Sequence, residues 1–201
     1  MTAPLCIDLF CGYGGWARGF LVAGYRVVGF DNEPKCAGRY PGEFVLADVR
    51  NLDGWRFRGA TVIVASPPCT EFSDLRFLRK NAPEPDMALV DAVWRIRKES
   101  GVRTIIENVR GARRFWPHDV KAHRGPFYLW GDIPTIFGTM PPYKKVGAVA
   151  RARGPDGALR PSRLRQWGAR PRSESSARER GMIPYPLARA LAEACFPEAS
   201  R

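Results

Sequence analysis

The chain of 201 residues carries 32 lysines and arginines against 20 aspartates and glutamates, a formal net charge of +12, and is 45% apolar. That length supports one well-buried core, and no stretch approaches the roughly 18–20 consecutive apolar residues of a membrane helix. Met1 to Leu5 lack the charged start and apolar run of a secretory leader, so a soluble protein of a reducing compartment is expected.

The five cysteines form no CxxC pair, and there are only two histidines. Neither a zinc site nor a disulfide framework is encoded, and no metal site is expected. His118 and His123 read as solvated loop residues. The charge is unevenly spread: residues 1–50 hold five basic and five acidic residues, 101–150 eight against three, and 151–201 eleven against five. A basic second half points to a polyanion, nucleic acid being the commonest. The bland alternative is a solvated basic face.

In chain order, Leu5 to Phe10 reads as a buried strand and Gly12-Tyr13-Gly14-Gly15 as the turn after it. A helix from about Trp16 to Ala23 is stopped by Gly24. Val27 to Phe30 is a second strand ending at Asp31, and Phe44 to Ala47 a third ending at Asp48. Residues 61–65 form a fourth, running into Ser66-Pro67-Pro68-Cys69. Met87, Leu89, Val90, Val93, Trp94 and Ile96 recur at helical spacing and are expected to pack the core. Thr104-Ile105-Ile106 is a fifth strand, followed by Glu107-Asn108-Val109. Phe127 to Trp130 is a candidate sixth. Seven arginines among Gly, Pro and Ser in residues 151–176 suggest an irregular basic segment. Pro186 to Ala194 reads as an amphipathic helix docking back on the domain. Strands alternating with helices predict an α/β domain with a mainly parallel sheet.

In such a sheet ligands gather beyond the carboxyl ends of the strands, which is where this sequence concentrates its reactive groups. Cys69 follows a turn that two prolines stiffen, unlike structural cysteines, which usually sit inside elements as small hydrophobes. Gly12, Gly14 and Gly15 permit a tight turn and close approach of a ligand to the backbone. Asp31 stands where a carboxylate can bind ribose hydroxyls, and Asp48 ends the next strand. Glycine turn, acid and acid suit an adenosine-containing ligand that needs no pyrophosphate cradle; S-adenosylmethionine fits better than NAD.

Asp8 to Gly15, Pro67-Pro68-Cys69 and Glu107-Asn108-Val109 resemble, in order and spacing, the DNA (cytosine-5)-methyltransferase family over about residues 5–111. Residues 66–73, Pro83-Glu84-Pro85-Asp86 and Tyr128-Leu129-Trp130-Gly131 look like short members encoded by bacteriophages. Ile183-Pro184-Tyr185-Pro186-Leu187 is similar to the family's last motif, which returns to the cofactor pocket. The resemblance implies a Rossmann-like S-adenosylmethionine-dependent methyltransferase fold with a small irregular basic target-recognition region. Its implied divisions are a catalytic and cofactor-binding core at 1–111, the recognition region at 112–180, and a returning helix at 181–201.

It further implies that Phe10 stacks on the adenine and Gly12 to Gly15 approach the methionine part. Asp31, with Asn32 beside it, would bind the ribose. Asp48 and Val49 would flank the adenine, and Pro67 would line the cofactor pocket. Cys69 would be the nucleophile, Glu107 the group that holds and protonates cytosine at N3, and Asn108 a brace for the Cys69 loop. Two departures stand out. Thr70 replaces the usual Gln after the cysteine, and the Gln-x-Arg-x-Arg motif has Arg163-Leu164-Arg165 as its nearest counterpart. The implied partner is duplex DNA with the target cytosine flipped out. The implied state is a monomer in the cytoplasm of a bacterial or phage-infected cell.

The chemistry asks for these groups. Cytosine C5 is a poor nucleophile until a thiolate adds at C6 and an acid at N3 stabilises the developing charge. A free thiol has a pKa of about 8.5, so its surroundings must favour the thiolate, and burial of Glu107 would favour its protonated form. A duplex hides C6, so the base must leave the stack at a cost of a few kcal/mol. Arg110, Arg113, Arg114, Lys144, Lys145 and the arginines of 151–172 are candidate phosphate contacts. RNA cytosine-5 methylation and a non-catalytic nucleic-acid-binding relative remain as alternatives.

Overall fold

The computed structural model describes residues 2–72, 83–134, 151–153, 159–161 and 182–197. The apolar runs of the first half become strands β1 (Leu5–Leu9), β2 (Arg26–Asp31), β3 (Glu43–Leu46), β4 (Val62–Ala65) and β5 (Thr104–Asn108). A hairpin, β6 (Ala122–Arg124) and β7 (Phe127–Gly131), completes one seven-stranded sheet in the order β3-β2-β1-β4-β5-β7-β6. The first five pair in parallel, whereas β7 runs antiparallel to β5, setting Leu129 opposite Glu107 and Tyr128 opposite Asn108. All four residues of β4 are buried, as expected of a central parallel strand covered on both faces.

Helices fill the two faces. α1 (Gly15–Val22) and α3 (Tyr185–Cys195) pack against each other on one side. There Trp16, Ala17 and Phe20 meet Leu187, Leu191 and Cys195 in one apolar cluster. The approach is close: a Cβ on Gly19 would lie 2.6 Å from that of Ala188, so only glycine lets the two backbones meet. α2 (Ala88–Ser100) covers the other face, burying Val90, Val93 and Ile96 beside Trp116 and Trp130. Burying each such large apolar side chain contributes about 1.5–3 kcal/mol. No helix among the described residues is long and apolar enough to cross a membrane.

This is the α/β domain with a mainly parallel sheet that the alternating pattern predicts, and it has the Rossmann-like form that the resemblance implies. Phe127 to Trp130, the candidate sixth strand, pairs with β5, and Trp116, Leu129 and Trp130 are buried. One detail differs. A short antiparallel hairpin, β8 (Arg151–Arg153) with β9 (Leu159–Pro161), lies in the stretch read as irregular. Both histidines are exposed, as expected; each also rests on an aromatic ring, His118 on Trp94 with ring centroids 4.1 Å apart and His123, in β6, on Tyr128 at 5.1 Å. The three-residue strands escape a reading of the sequence because each carries barely one alternation.

Candidate active site

From β1 the chain winds towards β2 and β3, and from β4 towards β5, so the winding reverses between β1 and β4. That reversal opens the crevice in which doubly wound sheets bind ligands. The carboxyl ends of four strands are laced together there by hydrogen bonds. Ala47 N–H donates to the Asp31 carbonyl, Cys11 N–H to the Phe30 carbonyl, and Ser66 N–H to the Leu9 carbonyl. The residues singled out on β3, β2, β1 and β4 therefore share one rim, and Glu107 and Asn108 extend it at β5.

On the β1–β3 side, Phe10 takes φ = 59°, the only positive φ among the described non-glycine residues. A bulky residue in that region is strained, and the strain ends β1 abruptly in the glycine turn. The Asp31 carboxylate accepts from Gly12 N–H at 2.9 Å and Glu33 N–H at 3.0 Å, tying the turn to the end of β2. Gly12 has φ = +52° and nothing within 4 Å of the position a Cβ would occupy, so it faces open space, whereas a Cβ on Gly14 would run into the Pro41 ring and one on Gly15 would meet the Ile183 backbone at 2.6 Å. Asn32 is exposed beside it. Asp48 accepts from Arg50 N–H and is clamped by the Arg50 guanidinium, which holds its carboxyl below the usual range. Val49 is buried and Pro67 is buried across the crevice. An open backbone cradle, an aromatic ring beside it and carboxylates at the next two strand ends fit the methionine, adenine and ribose parts of S-adenosylmethionine.

Asp8 was passed over in the sequence. It is fully buried, accepts from Tyr40 Oη at 3.0 Å, and burial pushes its carboxyl up to about 8. Glu33 was also missed. Its carboxylate accepts from Lys35 N–H just past the strand end, on the same rim as Asp31.

On the β4–β5 side, Cys69 is exposed and opens a single turn of 3-10 helix, Cys69–Glu71. All five cysteines are thiols, and the other four are buried. The next strand end carries Glu107, 8% exposed, whose carboxyl burial raises to about 7 against the opposing effect of a hydrogen bond from Ser66. Ser66 Oγ itself accepts from Trp16 Nε1 at 3.0 Å, so its hydroxyl proton is directed at Glu107. Trp16 and Ser66 thus orient the carboxyl, a role the sequence did not reveal because fifty residues separate them. Asn108, 1% exposed, donates from Nδ2 to the Pro67 carbonyl at 2.9 Å and accepts from Val109 N–H at 2.9 Å. Phe72, buried just after the Cys69 turn, packs edge-on against Trp116 at 5.7 Å.

Arg163 and Arg165 lie outside the described residues, as do Lys144 and Lys145. The described residues contain no cluster of three metal-ligating side chains.

A switch point joining a glycine turn to a Pro-Pro-Cys turn, with a buried acid one strand further on, is a doubly wound methyltransferase-type site. The model for the C-5 cytosine-specific DNA methylases matches residues 5–116, and the chain belongs to that family. Type II methylase M.HgiDII of Herpetosiphon aurantiacus is 29% identical over 121 residues, covering 54% of this chain and 34% of that protein. The match thus spans about a third of this relative's length. Among solved structures, a prophage-encoded E. coli protein assigned as a DNA modification methyltransferase is 24% identical, covering 55% of this chain and 33% of its own, with a TM-score of 0.42. Spodoptera frugiperda DNMT2, a triple mutant, is 18% identical over 56% of this chain and 37% of its own, with a TM-score of 0.41.

Proposed function

We propose that the chain transfers a methyl group to C5 of cytosine in DNA. S-adenosylmethionine, when bound, supplies that methyl group as an electrophilic sulfonium substituent. Phe10, Gly12, Gly14, Gly15, Asp31, Asn32, Asp48, Val49 and Pro67 would hold it at the β1–β3 rim.

The observation that carries the reading is the pairing of Cys69 with Glu107. An exposed thiol opens the 3-10 turn that follows β4, and a buried carboxyl raised to about 7 lies near the end of β5, the strand paired with β4. Cys69 as thiolate adds to C6 while the Glu107 proton moves to N3, so the electron pair of the C5–C6 double bond becomes available at C5. Once C5 carries the methyl group, loss of the C5 proton to a water molecule restores the double bond and expels Cys69 as thiolate, and the N3 proton returns to Glu107. Asn108, bonded to the Pro67 carbonyl, keeps the nucleophile's turn and the acid's strand in fixed relation. General acid assistance of this kind is worth about 10²–10⁴-fold.

The base must be extruded to reach Cys69, and the basic residues after 101 would hold the DNA backbone while it is out. The target-contacting part would be the basic stretch 112–180, and the protein would act as a monomer in the cytoplasm of a bacterial cell. The test is transfer of labelled methyl to duplex DNA and to RNA of the same sequence, with trapping on DNA containing 5-fluorocytosine. Methylated DNA and an adduct that is lost in Cys69→Ala are expected. An adduct that survives Cys69→Ala, or labelling of RNA alone, refutes the reading.

A further inference from the structure

Directly after Glu107 and Asn108, the chain makes a short 3-10 helix, Arg110–Arg114, that borders a cavity of about 430 Å³. Among the described residues it is lined by Arg110, Gly111, Arg113 and Arg114. In a 3-10 helix residues three apart eclipse one another, so Arg110 and Arg113 stand on one side while Ala112 is fully buried on the other. All three arginines are exposed, and Arg113 has no hydrogen-bond or ion-pair partner among the described residues. Exposed arginines on one side of the turn make a basic wall that favours an anion. The volume lies within the range of small-ligand pockets and exceeds what a bare oxyanion requires.

The helix is also fastened to the nucleophile's turn. Phe115 and Trp116, at its end, pack on Phe72 with ring centroids 6.2 and 5.7 Å apart, and Phe72 follows the Cys69 turn directly. At its start, Asn108 binds both the Val109 N–H and the Pro67 carbonyl. Displacing the arginines relative to Cys69 would break contacts at both ends.

We propose that this arginine cavity is a phosphodiester subsite that grips one sugar-phosphate of the DNA strand carrying the extruded cytosine. It rests on the reading of DNA as substrate, and it adds a fixed anchor that is blind to sequence. Guanidinium pairs favour such sites because their planar donors match phosphate oxygens. A phosphate held here positions the neighbouring base over Cys69 through the rigid Phe72–Trp116 link rather than through base recognition.

The test is fluorescence anisotropy with a labelled short duplex containing a single cytosine, measured over a range of KCl concentrations. Each phosphate contact contributes about 0.9 to the slope of log affinity against log salt. Arg113→Ala is expected to make that slope shallower by about 1 and to weaken binding about ten-fold. Arg58→Ala, at the opposite end of the sheet before β4, is expected to change neither. Replacing single phosphates near the cytosine by neutral methylphosphonate is expected to weaken the wild type at one linkage and leave Arg113→Ala indifferent there. An unchanged slope in Arg113→Ala, equal methylphosphonate losses in both proteins, or no duplex binding by the wild type overturns the subsite. Methyl transfer is scored separately. An Arg113-dependent slope without transfer to any cytosine refutes the methyltransferase reading alone, and transfer with an unchanged slope refutes the subsite alone.

Discussion

Replacing Glu107 by Gln separates what the carboxyl does for stability from what it does for chemistry. Burial raises this carboxyl from an ordinary 4.5 to about 7, which corresponds to about 3 kcal/mol in favour of its protonated form. Below about pH 4.5 the group is protonated in both the folded and the unfolded chain, so it exacts no penalty. Because the folded value is the higher one, the folded chain loses stability as pH rises from about 4.5 to 7, and the full loss is present above that. Glu107→Gln keeps the shape and an acceptor for the Ser66 hydroxyl but never ionises. It should therefore match the wild type near pH 4.5 and exceed it by about 3 kcal/mol at pH 8, roughly 6–12 °C in Tm for a chain of this size. Urea unfolding of both proteins at pH 5 and pH 8 measures the difference, and pairing them cancels the parallel contribution of Asp8. Methyl transfer by the variant should fall about 10²–10⁴-fold, and the wild-type rate should decline above pH 7 as Glu107 ionises. A stability difference that is the same at both pH values refutes the assignment of a buried, neutral carboxyl.

Cys69→Ser should abolish the 5-fluorocytosine adduct and lower transfer by at least about 10³-fold, while Tm stays unchanged because the side chain is exposed; mass spectrometry and calorimetry check both. Asn108→Ala strands the buried Pro67 carbonyl and Val109 N–H and should cost about 1–3 kcal/mol per group in urea unfolding, with kcat reduced more than KM. Tyr40→Phe removes the hydrogen bond that offsets burial of Asp8; the Asp8 carboxyl then rises further, and the variant should lose more stability at pH 9 than at pH 6. Gly19→Val forces a side chain into Ala188 where α1 meets α3, and overpacking of this kind should destabilise by about 1–3 kcal/mol in thermal melts.

The alternation of buried strands with helical patterns, and the turn residues after each strand, were legible in the sequence because they are local. A parallel strand buried on both faces must read as an apolar run, and Gly12 and Pro67-Pro68 announce their turns by residue type alone. The same locality placed Cys69, Glu107, Asp31 and Asp48 at successive strand ends. What tertiary structure decided is how those ends bear on one another. Burial of Glu107, not its position in the chain, raises its carboxyl, and that burial exists only once β7 pairs beside β5. Trp16 and Ser66 orient the carboxyl, and Phe72 fastens the nucleophile's turn to Trp116, through contacts between distant segments that no local pattern encodes. β7 was legible as the apolar run Phe127 to Trp130, whereas its partner β6 was not. Short edge strands carry too little periodicity to be seen, and they form because the strand beside them leaves backbone groups to be paired.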